Sequence, residues 1–196
     1  LADEKLINKW TEYVKQGGHL ILTVRTAVKD KNGHLFQGWG NPIYGLIDAK
    51  IEDFDHLLPY AKGTIQGFGK EYYWNNWADL VKANKPENVL AKYTNQFYAG
   101  TASVATNKIG KGTVTYIGTD TDEAQLEKDV LQHVYKQAGI AVEQYPKGVY
   151  INWRDGFWIA VNYSSEDYQI EKISGMANII IGGKTLPPGG VTVWQQ

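Results

Sequence analysis

The stretch Gly17-Gly-His-Leu-Ile-Leu-Thr-Val-Arg25 decides the fold class. After the glycine pair comes a nearly continuous apolar run, which is typical of a strand buried on both faces in a parallel sheet. Upstream, the apolar residues of segment 3–16 recur at helical spacing, with Asp3 placed to cap the helix and Gly17 to end it. Helix, glycine pair and buried strand together predict an α/β domain.

A polar, glycine-rich loop over residues 26–41 follows this strand and contains Lys29, Asp30 and Trp39. Ligands and partners of α/β sheets tend to bind beyond the carboxyl ends of the strands. Arg25 stands at the end of the strand, so its guanidinium is predicted to face a carboxylate, a sugar or a neighbouring subunit. The alternative is an intramolecular salt bridge that holds the loop down.

The rest of the chain predicts two domains, 1–145 and 146–196. Short strands over 49–54, 64–68, 71–82, 89–93, 103–106 and 113–118 precede a helix over 122–138. Beyond Pro146 no helical period appears, and short strands alternate with glycine turns. We therefore expect a partly parallel α/β sheet with flanking helices, followed by a small antiparallel β-sandwich-like domain.

Composition excludes several classes of function. The 196 residues include 20 Lys+Arg and 21 Asp+Glu, so the chain lacks the basic surplus of a general nucleic-acid binder. Without cysteine it has no disulfide, thiolate zinc site, iron–sulfur cluster or cysteine nucleophile. No apolar run approaches the roughly 18 residues that a membrane span needs. The start at Leu1, without a signal peptide, is what an internal fragment or a processed chain would show.

Candidate chemistry is sparse. The four histidines share no metal-ligand spacing, so we expect neither a metal nor a cofactor. Asp120, Asp122 and Glu123 lie at the start of the second predicted helix and are predicted to cap it. Asp53 and Asp55 stand two apart on one predicted strand, whereas the two carboxyls of a retaining glycosidase normally come from separate elements. We expect no catalytic residue in this chain.

Tryptophan is the most informative residue type, with seven in the chain. Exposed tryptophans serve as sugar platforms or as interface anchors, and the sequence alone leaves both open. The residues predicted to face an interface or a ligand are Arg25, Lys29, Asp30, Trp39, Trp74 and Trp77.

Several segments, taken in order, resemble the family 42 glycoside hydrolases, which are β-galactosidases. Residues 17–30, 42–55, 89–93, 97–100 and 110–120 are similar to the family's middle domain, and residues 149–163 and 186–194 to its small C-terminal β domain. The resemblance covers nearly the whole chain. It implies a glutamine-amidotransferase-like (flavodoxin-like) trimerisation domain that has strands upstream of the first helix, so the sheet is expected to be incomplete here at its N-terminal end.

The resemblance further implies a parent enzyme that hydrolyses terminal β-D-galactosyl residues with retention. Both catalytic glutamates would belong to a (β/α)₈ barrel, which this sequence does not contain. The expected role is therefore non-catalytic: trimerisation, and shaping of the entrance to a neighbour's active site, with galactosides bound by the parent barrel. The alternative is an independent carbohydrate-binding module that uses exposed tryptophans. We favour a cytoplasmic location for the parent, and expect neither a membrane nor a nucleic-acid partner.

Overall fold

The computed structural model describes residues 2–175 and 177–195. The chain divides into two compact units, Leu1–Ala141 and Val142–Gln196, and each has a hydrophobic core of its own. No helix within the described ranges is both long and apolar enough to cross a membrane.

The first unit contains one mixed sheet and a small number of helices. Three one-turn 3₁₀ helices lie at Asn41–Ile43, Pro86–Asn88 and Asp122–Ala124. The helices and strands are α1 (Glu4–Lys15), β1 (His19–Thr23), α2 (Tyr44–Ile47), β2 (Ala49–His56), β3 (Gly63–Gly67), β4 (Lys70–Trp74), β5 (Trp77–Ala83), β6 (Val89–Tyr93), β7 (Ala102–Ile109), β8 (Gly112–Ile117) and α3 (Gln125–Gln137).

The sheet runs in the order β1-β8-β7-β6-β3-β4. β5 pairs with β7 at Val81 and Ala102, outside the stretch of β7 that pairs with β8. β2 pairs with β5 in turn. Among the described strands of this sheet β1 and β8 form the one parallel pair, and the other pairs are antiparallel. The predicted partly parallel sheet is confirmed as a mixed, curled sheet. Antiparallel pairs dominate because short turns, rather than crossover helices, join most neighbouring strands.

Three local predictions need correction. β1 ends at Thr23, two residues before Arg25, and is only partly buried because it pairs with β8 alone among the described strands. The segment 71–82 is two strands, β4 and β5, separated by Asn75 and Asn76. The second helix begins at Gln125 rather than 122, since Glu123 takes a left-handed backbone conformation with φ 55°.

α1 forms as its sequence predicts. The Asp3 carboxylate accepts a hydrogen bond of 2.8 Å from the backbone N–H of Leu6, which satisfies one of the free donors at the start of the helix. The end of α1 then packs directly on the start of β8. The backbone N–H of Lys111 donates to the carbonyl of Lys15 at 3.1 Å, and that of Thr113 to the carbonyl of Gly18 at 3.2 Å. Helix and sheet are therefore joined backbone to backbone at this point.

The second unit is a small antiparallel β structure, as predicted. A four-stranded sheet has the order β12-β14-β10-β9, and a two-stranded sheet pairs β11 with β13. Trp194 is fully buried at the centre of the unit's core. The strands are β9 (Val149–Arg154), β10 (Phe157–Asn162), β11 (Tyr168–Gln169), β12 (Asn178–Ile181), β13 (Thr185–Leu186) and β14 (Val191–Gln195).

Replacing Gly112 with alanine tests the contact between α1 and β8. A Cβ atom at Gly112 would lie 2.0 Å from the carbonyl oxygen of Gly18 and 2.4 Å from that of Val14, so the backbone must move apart. We expect Gly112→Ala to lower the free energy of unfolding by about 3 kcal/mol. Gly45→Ala is the matched control, because its Cβ has open space within α2 and alanine favours a helix. Urea denaturation followed by circular dichroism measures both, and equal stabilities would contradict the prediction.

Candidate functional site

The site is built around a buried carboxylate. Asp79 lies in β5 between Ala78 and Leu80, and none of its surface is exposed to solvent. Removing a charged group from water is costly unless hydrogen bonds compensate for the lost hydration. Four donors surround this carboxylate, so the charge is fully compensated by the protein.

The four donors come from three separate parts of the first unit. Oδ1 accepts hydrogen bonds from two indole nitrogens, Nε1 of Trp39 at 3.0 Å and Nε1 of Trp77 at 2.9 Å. Oδ2 accepts from the backbone N–H of Arg25 at 3.1 Å and from the hydroxyl of Tyr116. We call these five residues the Asp79 cluster. The cluster fastens both ends of the loop after β1 to the sheet.

Two tyrosines complete the hydrogen bonding around Asp79. Burial, and secondly the negative charge of Asp79, raise the pKa of Tyr116 well above its ordinary value. Tyr116 therefore stays protonated and remains a donor. The hydroxyl of Tyr93 reaches the main-chain carbonyls of Asp79 at 3.3 Å and Gly118 at 3.2 Å, and burial raises its pKa as well.

Above the carboxylate the two indoles form an aromatic surface with Phe54. The ring centroid of Phe54 lies 4.8 Å from that of Trp77 and 4.5 Å from that of Trp39, and the two indole centroids are 5.8 Å apart. Phe54 and Trp77 are stacked, with 11° between their planes. We use the name aromatic surface for Trp39, Phe54 and Trp77 together.

Arg25 lies against this surface. Its guanidinium carbon is 4.6 Å from the centroid of the Trp77 ring, within the range of a cation–π interaction. Its backbone has φ 65°, a left-handed conformation that is unfavourable for a residue with a side chain. The hydrogen bond from Arg25 N–H to Asp79 helps to hold that conformation. Asp79 thus holds the main chain of Arg25, and the Trp77 ring holds its guanidinium.

The guanidinium itself has no polar partner in the described part of the chain. Arg25 is exposed, and no ion pair or side-chain hydrogen bond is formed by it among residues 2–175 and 177–195. The intramolecular salt bridge considered from the sequence is therefore not formed. The loop is held by the backbone of Arg25 and the indole of Trp39 instead.

The structure brings together three of the six residues predicted to form the site, Arg25, Trp39 and Trp77. Lys29 is exposed, but its side chain neither hydrogen-bonds to Asp79 nor stacks on the aromatic surface. Asp30 organises its own turn, accepting from the backbone N–H groups of Asn32 at 2.8 Å and His34 at 2.9 Å. The His34 bond is the main reason that the pKa of Asp30 lies below its ordinary value.

Trp74 was predicted to face an interface or a ligand, and its burial shows that this prediction is wrong. Its side chain is completely buried beneath the sheet, where it packs edge-on against Tyr93 at 5.6 Å. It therefore cannot meet a ligand or a partner.

Trp39 and Trp77 do not form an open sugar platform. Phe54, Trp39 and the guanidinium of Arg25 already lie against Trp77, and contacts within the chain use ring faces that a sugar would need. The indole N–H groups of both Trp39 and Trp77 point at Asp79 and are not free to bind hydroxyls. Trp153 of the second unit, which the sequence did not single out, has 60% of its surface exposed.

The carboxylates weighed as candidate acids have structural partners. Asp55 accepts from the hydroxyl of Tyr98 at 2.6 Å, and Asp122 pairs with Lys62 at 2.9 Å. The exposed carboxylate of Asp53 accepts from the adjacent backbone N–H of Phe54. In the described ranges no three His, Asp or Glu side chains gather into a possible metal site.

Sequence reasoning missed Asp79, Tyr116 and Phe54. One signal was available for Asp79, because a single acidic residue interrupts the otherwise apolar run Trp77–Val81 of a predicted strand. A charge at such a position must find partners or point to solvent. Nothing in the sequence indicated which partners these are.

Comparison with known families matches both units. Residues 1–141 match the family described as Beta-galactosidase trimerisation domain, and residues 149–196 match the Beta-galactosidase C-terminal domain. The chain is 26% identical over 188 residues to beta-galactosidase LacA of Lactobacillus acidophilus, covering 91% of this chain and 28% of LacA. It is 27% identical over 168 residues to beta-galactosidase BgaH of Haloferax lucentense, covering 85% of this chain and 25% of BgaH.

Solved structures show the same fold. The polyextremophilic beta-galactosidase of Halorubrum lacusprofundi superposes with a TM-score of 0.88 at 24% identity, covering 100% of this chain and 30% of that one. The beta-galactosidase from Bacillus circulans sp. alkalophilus superposes with a TM-score of 0.86 at 21% identity, covering 100% of this chain and 31% of that one.

The mixed sheet and the small antiparallel unit thus define a chain of the kind found in family 42 β-galactosidases, without the catalytic barrel. The chain belongs to the β-galactosidase trimerisation domain family and carries the β-galactosidase C-terminal domain behind it. It spans roughly three-tenths of the length of the relatives that it matches.

Replacing Asp79 with asparagine tests the cluster. If the amide oxygen keeps both indole donors, the NH₂ group must face the N–H of Arg25 and the hydroxyl of Tyr116. Tyr116 can turn to accept, but the backbone N–H of Arg25 cannot. We expect a loss of about 2–3 kcal/mol in the free energy of unfolding.

Asp53→Asn is the matched control for this variant, because Asp53 is exposed on the neighbouring strand β2. Its stability should change by less than about 0.5 kcal/mol. Urea denaturation measures both variants. In NMR spectra only Asp79→Asn should displace the indole N–H resonances of Trp39 and Trp77. Unmoved indole resonances in Asp79→Asn would show that the carboxylate does not hold these rings.

Proposed function

We propose that this chain is the non-catalytic assembly region of a β-galactosidase, and that its self-association builds a homotrimer. The observation that carries the proposal is the family match: residues 1–141 correspond to a domain described by its role in trimerisation, and the second unit to the accompanying C-terminal domain. The parent enzyme would hydrolyse terminal β-D-galactosyl residues, the activity named by the relatives.

The chemistry of the chain supports a division of labour within the parent. A retaining glycosidase uses two carboxyl groups about 5–5.5 Å apart on either side of the scissile bond. The carboxylates of Asp55, Asp79 and Asp122 are each engaged by tyrosine, tryptophan or lysine side chains of this chain. We therefore place both catalytic carboxylates, and the binding of the galactoside, in the barrel of the parent enzyme.

A cyclic trimer places particular demands on the surface. Its contacts are heterologous, so each copy uses two different patches, one to meet the preceding copy and one to meet the following copy. Stable interfaces bury roughly 800 Å² on each partner and are anchored by a few Trp, Tyr and Arg side chains. The first unit offers such residues at Arg25 and the aromatic surface. In the proposed trimer this patch also adjoins the entrance to a neighbour's active site.

The purified chain should self-associate. We expect sedimentation velocity to show a species three times the monomer mass that grows with concentration, because a trimerisation domain carries its own contact surfaces. Dilution should return the monomer. A single monomer peak up to high micromolar concentration would contradict the proposal.

The same purified chain should not hydrolyse nitrophenyl β-galactoside. The expectation rests on the structural engagement of its carboxylates and is measured by release of nitrophenol. Turnover from a contaminating enzyme would persist when Asp53, Asp120 and Asp122 are replaced one at a time by asparagine. Turnover that disappears in one of these variants would show that the chain itself is catalytic.

A further inference from the structure

We propose that Arg25, seated on Trp77, is an interface anchor that binds a carboxylate on a second copy of this chain. The inference rests on the proposed function and goes further: it names the residue, the chemical group that it recognises and the type of contact. Three features carry it, namely the fixed position of Arg25, its unused hydrogen-bond donors and the rings beneath it.

The first feature is that Arg25 is ordered before any partner arrives. A free arginine side chain loses rotamer entropy when a contact immobilises it. Here the backbone N–H is bonded to Asp79, the main chain is held at φ 65°, and the guanidinium lies on an indole ring. The fold itself has already met part of the cost of ordering, which favours tight binding.

The second feature is the set of unused donors. A guanidinium has five N–H donors in a rigid, planar fork, and contact with Trp77 uses its face rather than its edge. Within the described ranges no acceptor meets that edge. If an interface covered Arg25 without supplying acceptors, a charged group would be buried unpaired, at a large cost. The partner surface must therefore bring an acceptor, and a carboxylate matches the fork in bidentate geometry.

The third feature is the apolar surroundings. Phe54 is 43% exposed and stacks on Trp77, the same ring over which the guanidinium of Arg25 lies. Covering these rings would remove water from around the guanidinium and strengthen its attraction to a carboxylate. Interface hot spots are enriched in Trp, Tyr and Arg that become fully desolvated in the complex.

A second copy is the occupant that this chain favours. Exposed carboxylates are available on the surface of the chain itself, at Glu4, Asp53 and Glu71 among others. Because a cyclic trimer joins unlike patches, the carboxylate belongs to a different surface of the neighbour and not to the neighbour's Asp79 cluster. A sugar is disfavoured, since protein groups already lie against the indole faces and both indole N–H groups are bonded to Asp79.

The test is Arg25→Met, studied with the chain as it stands. Methionine keeps the apolar stem and the backbone N–H that binds Asp79, so only the charged fork is lost. We expect the concentration at half-association to rise at least about tenfold, measured by sedimentation velocity. Arg154→Met is the matched control, because Arg154 is 81% exposed in its side chain and has only a 4.0 Å contact with Asp155. At a concentration at which the chain is monomeric, thermal melting should differ little between the two variants, because methionine keeps an apolar contact with the Trp77 ring.

Salt dependence identifies the chemistry of the contact. Association of the wild-type chain should weaken as sodium chloride is raised, and Arg25→Met should weaken less, because the variant has lost the ion pair. The salt dependence of association for Arg25→Lys should lie between those of the wild-type chain and Arg25→Met, since lysine keeps the charge but loses the bidentate fork.

Each other result overturns a specific statement. If the wild-type chain associates and Arg25→Met associates equally well, Arg25 is not an anchor, while the proposed assembly function stands. If Arg25→Met weakens association but the wild type is indifferent to salt, the partner group is not a carboxylate. If Arg25→Met leaves association intact but abolishes galactose binding seen by calorimetry, the surface is a sugar site. A wild-type chain that stays monomeric refutes the proposed function itself.

Discussion

The carboxylate of Asp79 is the constraint on which the loop after β1 and the aromatic surface both depend. It is a full charge without solvent contact, and its four donors come from β5, β8 and the two ends of the loop. Since a buried carboxylate that loses a donor is penalised strongly, the four contacts are favoured together rather than one at a time. Two half-buried indoles, an exposed phenyl ring and an exposed guanidinium are thereby held together on one surface.

Local signals in the sequence were sufficient for much of the fold. The N-cap and the apolar stripe of α1, and the glycine turns between the short strands of the second unit, act over a few residues and could be read directly. The pairing of β5 with β7, outside the stretch of β7 that pairs with β8, could not be predicted in this way. Curling of a sheet depends on contacts between segments that are distant along the chain. The same limit explains why β1 was expected to be more buried than it is.

Prediction of the site was limited in the same way, because some of its residues are indicated by their sequence neighbours and others only by contacts with distant segments. Arg25 and Trp39 were found because they follow a strand on a polar loop, which is where partners tend to bind. Trp74 was misassigned because β4 alternates between buried and exposed positions, and the sequence does not say which face is covered. Asp79 was overlooked because Arg25 and Trp39, two of its donors, lie 54 and 40 residues away along the chain. Only the folded chain identifies the carboxylate as the centre.

The surroundings of Trp77 have an optical consequence. Its indole has a carboxylate at the N–H and a guanidinium over the ring, so two opposite charges act on a single chromophore at close range. The energy of indole light emission responds to such a local electric field. Any event that draws the guanidinium away from the ring, or covers it with a new carboxylate, changes that field. Trp77 is thus an intrinsic spectroscopic reporter of what happens at Arg25, and no external label has to be attached.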